Sequence, residues 1–166
     1  MKNNNLKYLC LSAVFSGIIF IFTAYFHIPS HTGYTHVGDG FIYLAACLLP
    51  TPYAIFAAAI GAFLADCLTG FALWAPASTI IKALTVLFFS SKYKKIITKR
   101  NIIALMPSAL LCAFGYYFYD ALIFSNFISA LAGIIGYITQ SVLSSILFIL
   151  IGASFDKINF KKYLGE

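Results

Sequence analysis

Apolar positions run in long unbroken stretches, separated by short clusters of proline, glycine and charge. Residues 8–38, 40–65, 101–119 and 121–155 contain no Asp, Glu, Lys or Arg. About 20 mainly apolar residues cross a ~30 Å hydrocarbon core as a helix, so this pattern predicts a bundle of membrane helices. Proline, glycine and charge divide the chain into six spans. These are about 6–27, 37–49, 53–68, 76–90, 102–124 and 127–153. Between the first two lies a segment rich in turn formers, His27 to His36, read as a loop. A second loop covers Thr69 to Ala75, and Pro76 suits the first turn of the fourth helix. The second, third and fourth spans are short for a full crossing. They gain length by tilting or from the adjoining loops. No soluble linker, repeat or second domain interrupts the chain, so residues 1–166 are expected to form one compact all-α membrane domain.

Charge changes the picture by fixing an orientation. Lys2 and Lys7 precede the first span. Lys92, Lys94, Lys95, Lys99 and Arg100 separate the fourth and fifth, and Lys157, Lys161 and Lys162 follow the sixth. With six spans these ten residues share one side, and the positive-inside rule makes that side cytoplasmic. Both termini are then cytoplasmic, and the 27–36 and 69–75 loops lie outside. An odd number of spans would split the basic groups. The net charge of +6 does not indicate nucleic-acid binding, because the cations sit in short patches between apolar runs.

Composition agrees. Hydrophobic residues make up 61% of the chain and charged residues 10%, against about a quarter charged in soluble domains. That argues against a soluble globular enzyme. The first apolar stretch, Tyr8 to about Phe26, lacks a small-residue cleavage site and exceeds the ~7–15 residues of a signal-peptide core; it reads as a retained span. Cys10, Cys47, Cys67 and Cys112 each fall in an apolar segment without a C-x-x-C pair, and are expected to be small core residues.

Four ionisable residues stand inside or at the ends of spans: Asp39, Asp66, Lys82 and Asp120. Each costs at least ~2.5–3.5 kcal/mol at a helix centre. Lys82 lies six residues below Pro76, roughly 9 Å down, and all four fall in the outer half of the bundle. Lys82 needs a partner, and Asp66 or Asp39 can supply it. Tyr34, Phe71, Trp74, Tyr116, Tyr117 and Tyr119 gather at the same level. An interfacial belt accounts for some of them. Aromatic loops above buried polar groups also suit a pocket that stacks a flat ring. Tyr137 and Gln140 could line its floor or join helices, and Asn126 is a further polar candidate. His27, His31 and His36 lack the register of a metal site, because Pro29 breaks i, i+4 spacing. No metal or cofactor is expected, and His36 is the histidine placed to touch a ligand. Small residues mark helix contacts: Ala54, Ala57, Ala58, Gly61, Ala62 and Ala65 on the third span, read as internal packing, and Ser12, Ala13, Ser16 and Gly17 on the first, read as a docking face for a membrane partner.

The stretch H36-x-G-D39, A65-D66-x-x-x-G70 and W74-A-P76-x-x-x-I80-I-K82 resembles the substrate-binding S components of energy-coupling factor (ECF) transporters, of the branch labelled riboflavin-type that includes hydroxymethylpyrimidine carriers. The motifs cover 36–82, and the six-span plan extends the likeness along the chain. Two departures lie away from the outer face: Ala83 follows the lysine where the family often has glycine, and Pro50-Thr51-Pro52 replaces a Gly-Pro-Lys-type turn. The resemblance implies a vitamin uptake subunit in the cell membrane with an outward-facing pocket formed by spans four to six and the outer loops. It also implies docking through span one on a transmembrane coupling protein, with two ATPase subunits driving the complex. The chain itself has no G-x-x-x-x-G-K-[ST] motif. An intramembrane enzyme using Asp66, Asp120 and the histidines is the main rival, but H-E-x-x-H and G-x-S-x-G are absent. An ion-coupled carrier is the other; such carriers commonly show two related halves, and none is visible between 1–83 and 84–166.

Overall fold

The computed structural model describes residues 4–30 and 33–164; Lys2 and His31 lie outside them. Helix α1 (Asn4–Ala24) leads into a two-stranded antiparallel hairpin, β1 (His27–Ser30) and β2 (Gly33–His36). Six further helices of varied length follow: α2 (Asp39–Leu48), α3 (Thr51–Leu68), α4 (Ala75–Val86), α5 (Lys99–Ile103), α6 (Leu105–Ile123) and α7 (Phe127–Lys157), with a final turn, α8 (Phe160–Tyr163). The loop expected at 27–36 is therefore a β-hairpin, with His27 opposite His36 and Ile28 opposite Thr35.

Among the described residues, four segments are long and apolar enough to cross a membrane: Asn4–Ala24, Thr51–Leu68, Lys99–Ile123 and Phe127–Lys157. Large apolar side chains cover their outer faces; Ile135 is 75% exposed and Leu122 73%. A water-facing surface of this kind would be unstable, whereas lipid accommodates it. The chain is thus a helical, multi-pass membrane protein. Helices α2 and α4 have only 10 and 12 residues. Their shortness follows from position. Along α2 every residue but Phe41 is buried, so its ends meet protein rather than hydrocarbon. The 31 residues of α7 reach roughly 46 Å at 1.5 Å per residue, enough to pass the hydrocarbon core and carry Asp156 beyond it.

The main core gathers Ile42, Leu44, Leu48, Val86 and Phe148 around Tyr43, whose ring stacks on Phe89 at 4.8 Å. Small residues set the α1–α3 spacing. A Cβ at Gly61 would lie 2.8 Å from both the Ser16 carbonyl and Ile19 Cγ2, so glycine permits the approach. Ala54, Ala57, Ala58, Ala62 and Ala65 are buried along the same helix, as internal packing requires. After Thr69, Gly70 takes φ +88, a left-handed turn that ends α3 and that glycine adopts without a Cβ clash.

The segment between α4 and α5 is tied down by polar contacts. Asp156 accepts from the backbone N–H groups of Ile96 at 2.7 Å and Ile97 at 2.9 Å. Asn101 exchanges hydrogen bonds with the backbone of Ser90. Lys161 donates to the carbonyls of Ser91 and Tyr93 at 2.6 and 2.8 Å.

Candidate functional site

Beneath the hairpin, α3, α4, α6 and α7 border a narrow, partly open cavity with about 30 Å³ accessible to water. Its walls are mostly aromatic. Tyr34 on β2 meets Phe71 at 4.6 Å, and Phe71 meets Trp74 edge-on at 5.8 Å. On the other side Tyr116 and Tyr137 stack at 5.0 Å with planes 23° apart. His36, Asp66, Ser78 and Gln140 complete the lining.

Helical spacing aims these groups inward. Ser78 and Lys82 are four residues apart on α4, as are Cys112 and Tyr116 on α6, and such pairs share a face. Ser78 Oγ and the Tyr116 hydroxyl lie 2.8 Å apart. Below the cavity, Lys82 Nζ sits 2.9 Å from Asp39 Oδ2 and 5.1 Å from the Tyr116 ring centre. Gln140 Nε2 donates to the same carboxylate oxygen at 2.9 Å. Cys112 Sγ lies 3.8 Å from Lys82 Nζ and 3.7 Å from Gln140 Nε2. Of the two candidate partners of Lys82, Asp39 is the one it pairs with. This buried pair cancels its own charge and forms the floor; Lys82 and Asp39 do not line the cavity, although Gln140 does.

Asp66 is placed differently. The Tyr34 hydroxyl donates to its Oδ1 at 2.6 Å, which joins the hairpin to α3. Its Oδ2 is buried and has no hydrogen-bond partner among the described residues. Burial and the neighbouring Asp66 carboxylate push the Tyr34 hydroxyl well above its usual range, so it stays protonated as the donor in this bond. Burial lowers His36 to about 4, and its Nδ1 accepts from the Gly38 N–H at 3.2 Å. The neutral ring therefore carries its proton on Nε2.

Asp120, fully buried, supports the walls. Trp74 Nε1 donates to its Oδ1 at 2.8 Å, and the Tyr137 hydroxyl donates to Oδ2. One carboxylate on α6 thus orients a ring from the α3–α4 turn and a ring from α7. Asp120 does not itself line the cavity.

Other expected positions fall elsewhere. Asn126 is exposed and caps α7, accepting from the N–H groups of Ile128 at 3.0 Å and Ser129 at 2.9 Å; a free helix end takes such a side chain, and Asn126 is outside the cavity. Tyr117 pairs with Phe118 at 5.4 Å, while the Tyr119 hydroxyl donates to the Leu73 carbonyl. The four residues expected as one docking stripe divide between two faces. Ser12 and Ser16 are buried, and Ser12 Oγ donates to the Tyr53 carbonyl at 2.7 Å. Ala13 and Gly17 are exposed, and nothing lies within 4 Å of a Cβ built on Gly17. The 100° step between successive helical residues produces this split. No cluster of metal-ligating side chains occurs among the described residues, and the cysteines there are free, with Cys47 and Cys112 buried. Sequence reasoning missed Ser78 and Cys112; their i, i+4 relation to Lys82 and Tyr116 was the available signal.

A helical membrane bundle with one aromatic cavity over a buried ion pair has the build of a membrane protein organised around a small internal compartment. The family model for the S component of ECF-type riboflavin transporters matches residues 3–157. The chain belongs to this family, which is one of vitamin-uptake transporter components rather than enzymes. No individual curated protein matches it.

Proposed function

We propose that this protein is the substrate-specific binding subunit of an ECF-type uptake transporter in the cell membrane. It captures a small planar vitamin or precursor, of the hydroxymethylpyrimidine, pyridoxine-like or riboflavin kind, from outside. The observation that carries this reading is the cavity itself: the rings of Tyr34, Phe71, Trp74, Tyr116 and Tyr137 around a few polar groups, closed by the hairpin through Tyr34 and Asp66. Flat rings bind between such walls by stacking and area burial. Lys82, Asp39 and Gln140 hold the floor, and Asp120 holds Trp74 and Tyr137.

In this reading α2 and α4 complete a six-span topology with both termini in the cytoplasm. The ten basic residues on one side support it. A transmembrane coupling protein docks on α1, where Ala13 and Gly17 leave a shallow exposed stripe, and two ATPase subunits supply the energy. Ser12 and Ser16 serve the α1–α3 contact instead. Mass spectrometry of small molecules that co-purify with the protein tests the reading. A bound planar vitamin or precursor is expected, and preparations from vitamin-fed cells that carry none would contradict it.

A further inference from the structure

At the C-terminal end of α7, α8 and the segment 91–94 border a second, partly open cavity with about 320 Å³ accessible to water. Lys92, Lys94, Lys161 and Lys162 line it, and no acidic side chain does. Asp156, near the end of α7, has each carboxylate oxygen on a backbone N–H, of Ile96 and of Ile97. Like charges gathered around one space raise the local potential and draw an anion into it.

The chain fixes these lysines in place. Asn159 takes φ 53 between α7 and α8, a left-handed conformation that asparagine adopts more readily than most residues. Beyond that turn Lys161, 5% exposed, donates to the carbonyls of Ser91 and Tyr93. Asn101 holds Ser90 by both its backbone groups. The backbone that carries Lys92 and Lys94 is thus pinned against the turn that carries Lys162, and a site ordered beforehand loses less entropy on binding. Lys92, Lys94 and Lys162 are themselves exposed, so their ammonium groups can reach a ligand.

The surroundings set the depth. Leu87, Tyr93, Ile158 and Tyr163 are exposed beside these lysines, Tyr163 at 80%. Tyrosines and lysines flanking apolar side chains mark the boundary between bilayer and water, where lysine stems lie along apolar surface and their heads reach the polar layer. A site for an anion free in water has no use for such a rim.

We infer that this cavity seats the phosphate of an anionic phospholipid, in the leaflet that meets this end of the bundle. In the proposed topology that leaflet is the cytoplasmic one. The phosphate oxygens accept from Lys92, Lys94 and Lys162, and the acyl chains remain in the bilayer. Basic pockets at this boundary suit acidic headgroups. A zwitterionic lipid gains less, because the same lysines repel its amine. The inference needs the chain's place in the membrane and is independent of what the aromatic cavity binds.

The test uses the full chain in detergent, with bound lipid counted by native mass spectrometry. Phosphatidylglycerol and phosphatidylcholine with identical acyl chains are titrated separately. One phosphatidylglycerol per chain is expected to bind at least about tenfold more tightly than phosphatidylcholine, since each lysine near the surface favours acidic lipid. Lys94→Gln with Lys162→Gln should abolish most of that preference. Lys95→Gln with Lys99→Gln, which removes the same charge from exposed positions outside the cavity, should keep it. Excess inorganic phosphate at constant ionic strength should leave the lipid bound. Equal binding of the two lipids, or equal loss in the two double variants, overturns the inference. Displacement by inorganic phosphate overturns it as well, in favour of a free-anion site. Absence of a lipid preference together with loss of uptake in Lys94→Gln with Lys162→Gln would assign the lysines to an acidic protein partner instead.

Discussion

Lys82 Nζ lies 2.9 Å from Asp39 Oδ2, with side chains only 2% and 3% exposed. Helices α2 and α4 are thereby joined at the level of the cavity floor. Gln140 from α7 donates to the same oxygen, so three elements converge on one carboxylate. Removing one member of a buried pair leaves an uncompensated charge, at a cost of about 3–5 kcal/mol. Lys82→Met is therefore expected to destabilise the protein strongly and to weaken ligand binding. Lys82→Met combined with Asp39→Asn should be less damaging than the two single changes added together, and Lys82→Met with Asp66→Asn should show no such relief. Thermal unfolding of the unmutated protein and the five variants in one detergent measures both couplings. Additive behaviour of Lys82 and Asp39 would contradict the pairing.

Asp120 acts through the rings it orients. Asp120→Asn can still accept from Trp74 but loses a charged acceptor shared with Tyr137. Affinity should fall by about tenfold, in line with a charge-assisted hydrogen bond of about 1.5–3 kcal/mol partly replaced. Asp120→Ala should cost more and should shift the emission of Trp74 in the absence of ligand, since the indole N–H loses its partner. An unchanged emission spectrum would show that this contact does not hold the ring.

His36 gives the hairpin end of the protein a pH dependence of definite sign. Its native value, about 4, is below the ordinary 6.5, so between these values the unfolded chain binds more protons than the native one. The stability that His36 contributes is complete above pH 6.5 and falls as pH drops towards 4. Melting temperature should decline on acidification through that window, and the decline should be shallower in His36→Gln. Identical slopes for the two proteins would rule out His36 as the source.

The exposed Ala13 and Gly17 form the proposed docking face on α1. Ala13→Leu with Gly17→Leu should abolish uptake by the assembled transporter and leave ligand affinity of the isolated protein unchanged. Ser12→Ala should instead lower stability by about 1 kcal/mol, the worth of one hydrogen bond, with uptake retained. Undiminished uptake in the double variant would remove α1 as the docking face.

Topology is tested in intact cells. Lys94 is exposed between α4 and α5. In a background lacking Cys10, Cys47, Cys67 and Cys112, Lys94→Cys should resist an impermeant thiol reagent until the cells are permeabilised. Labelling from outside would invert the orientation.

The helices were legible in the sequence because their signals are local. Pro52 and Pro76 stand in first turns where proline needs no hydrogen bond, and unbroken apolar runs marked the long spans. The hairpin was not legible: its strands have four residues each, too few for an alternating pattern, and Pro29 argued for a loop. Lys82 required a partner on physical grounds, but Asp39 and Asp66 stand at similar depths. Only the packing of α2 between α4 and α7 separates them. Asn126 illustrates the opposite failure. Its place before an apolar run is a helix-cap signal, and that local role is what the structure shows. The small residues of α1 were visible, but assigning them to faces needed the position of α3.

Trp74 provides the most direct measurement. It is the sole tryptophan, it lies on the cavity wall, and its indole is fixed by Asp120. A ligand identified by co-purification should change Trp74 emission saturably when titrated into the isolated protein, and Trp74→Ala should weaken its binding by roughly 1–3 kcal/mol, as in base–aromatic stacking. A ligand that binds without altering Trp74 emission and with full affinity for Trp74→Ala would place the binding site elsewhere.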